Sequence, residues 1–309
     1  MRQLTLADSA RLFGSTEEDL ARKCSTIFSE FDFTYRVLED TERDTEILEI
    51  MKRIDEDKQQ VGHEDRKVIW QRGWNENLQE YQDTNYSDTA LVPKFLRPNI
   101  AIRLEGRLVR PSSPTFEYDL FRVYRDWLFR TYLRRVSAVY EFGCGTGMNL
   151  VALNEIWPGK ELHGLDFVES SRDLVDEVAR ARGIPTLTGH LFDYEDPDES
   201  LEVSRDSAFI TFGSLEQISG RFQKYLSFVL ERKPELCLHV EPTIEHYNPD
   251  ILLDYLAIKF HRQRGYTEGW LPAIQQLEVE GRAEIIAAKR PFFGSTMMEG
   301  YSYVVWRPI

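Results

Sequence analysis

Cysteine is scarce in this chain: Cys24, Cys144 and Cys237 are the only three among 309 residues. An odd number, at spacings unlike those of a metal site, excludes a disulfide framework and fits reduced thiols. Long apolar runs are missing as well. No stretch approaches the roughly 20 apolar residues that span a bilayer, and no apolar core of roughly 7–15 residues follows a positively charged start. A soluble, cytoplasmic protein with no membrane partner is expected. Positive charge is the third shortage: 38 Lys and Arg face 52 Asp and Glu, for a net charge of −14. Such a chain suits nucleic acid poorly, because phosphate backbones are bound by cationic surfaces. One local exception is Lys94, Arg97, Arg103, Arg107 and Arg110, with only Glu105 among them. This cluster reads either as a subsite for a phosphate or carboxylate or as a solvated face offsetting nearby acids.

What the chain does have is a glycine loop behind a short apolar run. Residues 138–147 read Ala-Val-Tyr-Glu-Phe-Gly-Cys-Gly-Thr-Gly. Gly143, Gly145 and Gly147 separate a predicted strand from an apolar-periodic segment at 148–156, the place where backbone must turn sharply or come close to a ligand. A dinucleotide fingerprint would space its glycines G-x-G-x-x-G. Here they alternate, and Glu141 stands two residues before the first. A carboxylate there repels phosphates but suits a ligand carrying an ammonium and a sulfonium. In nucleotide-binding α/β units an acid about 20 residues further on accepts hydrogen bonds from ribose hydroxyls. Asp166, 19 positions beyond Gly147, closes a predicted second strand and takes that place; as an Asp before a helix it also suits an N-cap.

The segment Glu141-Phe142-Gly143-Cys144-Gly145-Thr146-Gly147 resembles the first motif of the class I, Rossmann-like S-adenosylmethionine-dependent methyltransferases. The resemblance implies S-adenosylmethionine as cofactor, S-adenosylhomocysteine as product, and a doubly wound α/β fold: a mostly parallel seven-stranded sheet whose last strand is inserted antiparallel. The strand-like runs agree with that architecture. Those at 186–190, 207–213 and 236–241 are separated by helix-length segments, and those at 283–289 and 301–307 are so close that they must pair antiparallel. The likeness covers residues 117–309. Two regions follow: 1–115, a helical N-terminal cap serving as lid or dimerisation surface, and 116–309, the cofactor-binding domain, with a helical insertion at about 248–281. Ile47, Ile50, Met51 and Ile54 form one helical stripe of the cap, and Trp70, Trp74, Leu78 and Tyr81 a second, both read as core. The proline-broken stretch 110–116 reads as the linker.

Ligands of open α/β sheets bind beyond the carboxyl ends of the strands. Cofactor contacts are therefore expected from Glu141, Gly143, Cys144, Gly145, Gly147, Asp166, Phe167, Leu191, Asp193 and Phe212. Phe167 lies against an adenine ring or is a core aromatic. In the family an acid after the third strand commonly accepts the adenine amino group; Gly189-His190 stands here, so Asp193 or the backbone at Leu191 takes that part. A base for the acceptor is sought beyond the fourth and fifth strands, in Glu216, His239 and Glu241, the last two sharing a face by strand alternation. His239 reads equally as a hydrogen-bonded core histidine. No catalytic metal is expected, because Gly213 and Gln217 stand where related metal-dependent enzymes carry ligands. The expected reaction is methylation of a small molecule, most readily at a hydroxyl oxygen, as in enzymes of bacterial natural-product and saccharide pathways. Nitrogen or peptide methylation, or a non-catalytic sensor or partner subunit, remains an alternative.

Overall fold

The computed structural model describes all residues except 63–65, 93, 95–97 and 99. Arg97 of the basic cluster lies outside the described residues. In chain order the first part contains β1 (Arg2–Gln3), α1 (Leu6–Phe13), α2 (Glu17–Ser29), β2 (Thr34–Val37), α3 (Asp40–Glu56), α4 (Arg66–Asp83), β3 (Ile102–Leu104) and β4 (Arg107–Pro111). Local signals explain the helices. Thr5 and Asp8 close a capping box on α1 and Gly14 ends it in the left-handed region, while Thr16 caps α2. The stripe on α3 buries Ile47, Ile50 and Ile54.

α5 (Phe116–Tyr132) opens the alternating part, followed by β5 (Ala138–Phe142), α6 (Met148–Ile156), β6 (Glu161–Asp166), α7 (Glu169–Arg182), β7 (Leu187–Leu191), β8 (Ser207–Phe212), α8 (Gln223–Arg232) and β9 (Leu236–Val240). Helices α9 (Leu252–Arg264) and α10 (Trp270–Val279) then precede β10 (Ala283–Lys289), β11 (Phe293–Ser295) and β12 (Tyr303–Pro308). Seven strands form one sheet in the order β10-β12-β9-β8-β5-β6-β7. Pairing is parallel from β9 to β7, and β12 runs antiparallel between β9 and β10. The expected final hairpin is present, with Lys289 opposite Tyr303. Strands β5 and β9 are buried throughout, because both faces are covered. Val139, Ile210 and Leu238 face α5 and the N-terminal helices; Tyr140, Phe142, Phe209 and Cys237 face α8 and α10.

The N-terminal region holds the expected helices and, in addition, a sheet that the sequence did not announce. Its order is β1-β2-β4-β3-β11, so the loop inside the final hairpin supplies one strand, pairing Phe293 with Leu104. Strands of two to five residues are too short to display alternation. Arg110 and Pro111, read as linker, instead end β4 opposite Arg36 and Tyr35. Beneath this joint lies a buried ionic set. The Arg103 guanidinium donates to the carbonyls of Thr296, Leu253 and Met297 at 2.9, 2.7 and 2.9 Å and lies 3.6 Å from Glu299.

Candidate active site

The order of the large sheet reverses at β5, which has β6 on one side and β8 on the other, and the glycine loop leaves β5 at that switch point. Gly143, Gly145 and Gly147 all take positive φ, at 68°, 55° and 71°. Two of them also leave no room for a side chain. A Cβ on Gly143 would lie 2.3 Å from Cβ of Ser214, and one on Gly145 would lie 2.8 Å from the ring of Trp74. The loop is fastened from below: the N–H groups of Gly143 and Cys144 donate to Leu165 O at 2.7 and 3.0 Å, and that of Gly145 to Asp166 Oδ2 at 3.1 Å.

Two buried carboxyls converge under the loop. Glu141 is 1% exposed; Asn149 Nδ2 donates to its Oε1 at 2.7 Å, while no described residue pairs with Oε2. Burial pushes its carboxyl up to about 8, against the pull of Asn149 and Arg125. Asp166 is raised to about 6 by burial, held down by the N–H groups of Gly145 and Val168. Each Asp166 oxygen accepts one of these N–H groups and keeps capacity for a further donor. Phe167 and Leu191 line a cavity of about 320 Å³ with Glu169 and, from α4, Lys67, Val68 and Gln71.

Other expected residues are placed differently. The Cys144 thiol points inward to Ser171 Oγ at 3.6 Å, away from any ligand that the loop would hold. Asp193 caps the Glu195 N–H at 2.9 Å and does not line the cavity beside Leu191. Phe212 packs on Phe121 and Phe129 of α5, with ring centroids 6.2 and 5.8 Å away. His239 and Glu241 share a face, as alternation requires, but they do not meet. The His239 ring is 1% exposed between Trp270 and Trp306, and its Nδ1 lies 3.1 Å from Thr211 Oγ1. Burial lowers it to about 3, so it is a neutral core histidine and not a base reaching solvent or substrate. The Glu241 carboxylate accepts the N–H groups of Ser214 and Glu216 at 3.2 and 3.3 Å. It is thereby committed to holding the short 3-10 turn Leu215–Ile218. Glu216 alone of the three stays half-buried at the rim, one oxygen 2.6 Å from Gln217 Nε2. Burial first, then the neighbouring Glu241, raises it to about 8.

The structure adds groups that the sequence reading passed over. Tyr301 Oη donates to Glu117 Oε1 at 3.1 Å, and burial raises Glu117 to about 7. Arg125 lies 3.4 Å from Asn149 Oδ1, facing the partner of Glu141. Glu117 and Arg125 belong to α5, in which twelve of seventeen residues are buried. Ionisable residues on a helix buried nearly all round are the signal that was available.

No protein-family model matches the sequence, and no curated protein matches it. Solved structures do. The [4+2]-cyclase SpnF superposes with a TM-score of 0.52 at 12% identity, over 81% of this chain and 96% of that one. An S-adenosylmethionine-dependent methyltransferase from Aquifex aeolicus aligns over 59% of this chain and 87% of that one, at 14% identity and a TM-score of 0.41. The O-methyltransferase NcsB1 of neocarzinostatin biosynthesis aligns over 64% of this chain but only 59% of its own length, at 14% identity and a TM-score of 0.42. The observed sheet, parallel from β9 to β7 with β12 inserted antiparallel, is the doubly wound architecture that the sequence resemblance implies. At these identities the likeness is one of fold, and the site must be argued from its own residues. Among the described residues no group of three His, Cys, Asp or Glu is placed to hold a metal ion, and no helix is long and apolar enough to cross a membrane.

The raised carboxyls carry a consequence for stability. Glu117, Glu141, Glu216 and Glu241 titrate near 7, 8, 8 and 7 in the folded chain, well above the unfolded range. The folded state therefore holds protons that the unfolded state has released, and this stabilisation disappears as pH rises towards 8. Histidines His163, His239 and His261, lowered to about 4, 3 and 4, act in the opposite sense only below about 6.5. Calorimetric melting of the ligand-free protein is expected to show stability falling by about 2–4 kcal/mol between roughly pH 6.5 and 8.5. A flat or rising profile would mean that these groups are already ionised.

Proposed function

We propose that the protein transfers a methyl group from S-adenosylmethionine to a small-molecule acceptor, with a hydroxyl oxygen as the acceptor atom. The observation that carries this reading is the buried Oε2 of Glu141, left without a described partner beneath a glycine loop. A cationic amino acid moiety satisfies that oxygen, whereas a pyrophosphate would face Glu141 and Asp166 as two like charges. The residues fit the cofactor: Glu141 and the 143–147 backbone for its amino acid end, Asp166 for the ribose hydroxyls, Phe167 and Leu191 for the adenine. Bound there, its sulfonium supplies an activated methyl.

The chain's own contribution is enclosure, orientation and removal of a proton. The helices following β9 close over the rim: Thr267 N donates to Glu216 O at 3.1 Å, and Thr267 lines a narrow cleft with Glu216, Glu241, Thr243 and Trp270. A closed rim favours a small acceptor over a folded protein. Glu216, with a raised carboxyl at that rim, takes the acceptor proton. Glu216→Gln is expected to lower kcat by about 10²–10⁴ with cofactor affinity unchanged, and to remove a limb rising towards about pH 8 from the rate profile. An unaltered profile would take Glu216 out of the reaction.

Calorimetric titration with S-adenosylmethionine, S-adenosylhomocysteine and a nicotinamide dinucleotide tests the foundation; binding of the dinucleotide alone would overturn it. Labelled methyl transfer to a panel of phenols, sugars and amines tests the rest. The SpnF likeness favours a second reading, in which the fold serves chemistry other than methyl transfer. Cofactor binding with no methylated product across the panel would support it.

A further inference from the structure

Helix α4 carries two tryptophans on a segment that packs into the core only at its far end. Of its residues only Asn77 and Tyr81 are buried. These anchor it: Asn77 Nδ2 donates to Ala90 O at 2.7 Å, and Tyr81 Oη accepts from Arg182 Nε at 3.3 Å. The chain that follows is tied to the glycine loop, since Thr146 Oγ1 donates to Leu91 O at 2.8 Å. α4 packs along α7, and its first half reaches the turns after β5 and β6 through Trp74 and Gln71 without being absorbed into the core. There Trp70 and Trp74 stack with ring centroids 5.3 Å apart, and the Arg66 guanidinium lies 5.2 Å from the Trp70 ring. Trp74 presses on Gly145, and Gln71 Oε1 accepts the Ser170 N–H at the start of α7, at 3.4 Å. Beside Gln71, on the side away from the glycine loop, lies the cavity of about 320 Å³, with Lys67, Val68 and Gln71 from α4 and Phe167, Glu169 and Leu191 from the turns after β6 and β7.

We propose that α4 is the outer wall of the cofactor site, with Gln71 contacting the nucleoside part of the ligand and Trp74, against Gly145, the part that meets the glycine loop. The inference rests on the cofactor reading above and extends it to residues outside the glycine-loop domain. Its chemistry is that of a flat, heteroaromatic base with a hydroxylated sugar. Apolar groups on both sides of the cavity, Val68 facing Phe167 and Leu191, accept the faces of such a base. The Gln71 amide offers a donor and an acceptor to its edge. A ring held against Gly145 where no Cβ fits also explains why α4 cannot lie there over any residue but glycine.

The test uses the full chain and S-adenosylhomocysteine, with adenosine as a smaller probe, in calorimetric titrations followed in parallel by tryptophan emission. Wild-type emission is expected to change on saturation. Gln71→Ala should weaken both probes about fivefold; Trp74→Ala should weaken S-adenosylhomocysteine at least tenfold and adenosine less, and Trp74→Phe should weaken either less than threefold. Gln71→Ala removes a half-buried side chain and keeps the ligand-free melting temperature, so it reads binding even where Trp74→Ala loosens the fold. If wild type binds S-adenosylhomocysteine and neither Trp74→Ala nor Gln71→Ala changes affinity, α4 is not part of the site, while the cofactor reading stands. If wild type binds neither probe, the cofactor reading itself fails and this inference with it.

Discussion

Glu141→Gln is expected to lower affinity for S-adenosylmethionine by at least about 100-fold while leaving the ligand-free protein as heat-stable as before, or more so. The substitution keeps shape, and the glutamine carbonyl can still accept from Asn149 Nδ2 at the place where the carboxylate does so at 2.7 Å. What it removes is the charge on a group 1% exposed, close enough to Asp166 for the two to repel. In the ligand-free chain that charge is a cost, which is why burial raises the carboxyl to about 8. Facing a cation it becomes an asset, because hydrogen bonds to charged groups contribute about 1.5–3 kcal/mol each and more where water is excluded. The sign of the proton flux follows. At neutral pH the carboxyl binds the cation only after losing its proton, so wild-type titrations in two buffers of different ionisation enthalpy should disclose proton release on binding. The glutamine variant should show none from this group. Equal affinity in Glu141→Gln and wild type would remove Glu141 from the site.

The centre of the candidate site was legible because the chemistry proposed for it leaves marks close together in the chain. Alternate glycines need positive φ, and the acid that ends β6 must follow one helix later, so Glu141, Gly143, Gly145, Gly147 and Asp166 could be located from spacing alone. Groups assembled over long separations could not. Glu117 and Tyr301 meet across 184 positions, and β3 finds its partner in β11 near the other end of the chain. Alternation correctly set His239 and Glu241 on one face, but it cannot say what covers that face. Trp270 of α10 and Trp306 of β12 do, and they turn a candidate base into a core residue. The stripe Trp70, Trp74, Leu78 and Tyr81 joins the core through Leu78 and Tyr81, while Trp70 and Trp74 stay half-buried: helical periodicity identifies a face, not how deeply each end of it is covered.

Glu299→Ala is expected to destabilise the fold by about 3–5 kcal/mol, a large part of the roughly 5–15 kcal/mol that holds a typical domain together. Glu299 and Arg103 are both 0% exposed. Glu299 Oε2 accepts from Arg290 Nη2 at 3.0 Å, and Arg290 also pairs with Asp254 through bonds of 2.5 and 2.8 Å. Two guanidinium groups and two carboxylates thus make a neutral set drawn from β3, α9 and the segments flanking β11. Removing one carboxylate leaves a buried surplus of positive charge, and that uncompensated charge, more than the lost pair, sets the cost. Glu299→Gln, which retains an acceptor but no charge, should fall between alanine and wild type in urea titrations. Tyr301 stands two residues from Glu299, and its own carbonyl accepts from Tyr124 Oη at 2.8 Å. Loosening the ionic set therefore also acts on Tyr301 and, through it, on the hydrogen bond to Glu117. Wild-type stability in Glu299→Ala would show that water reaches the set and that its charges are screened.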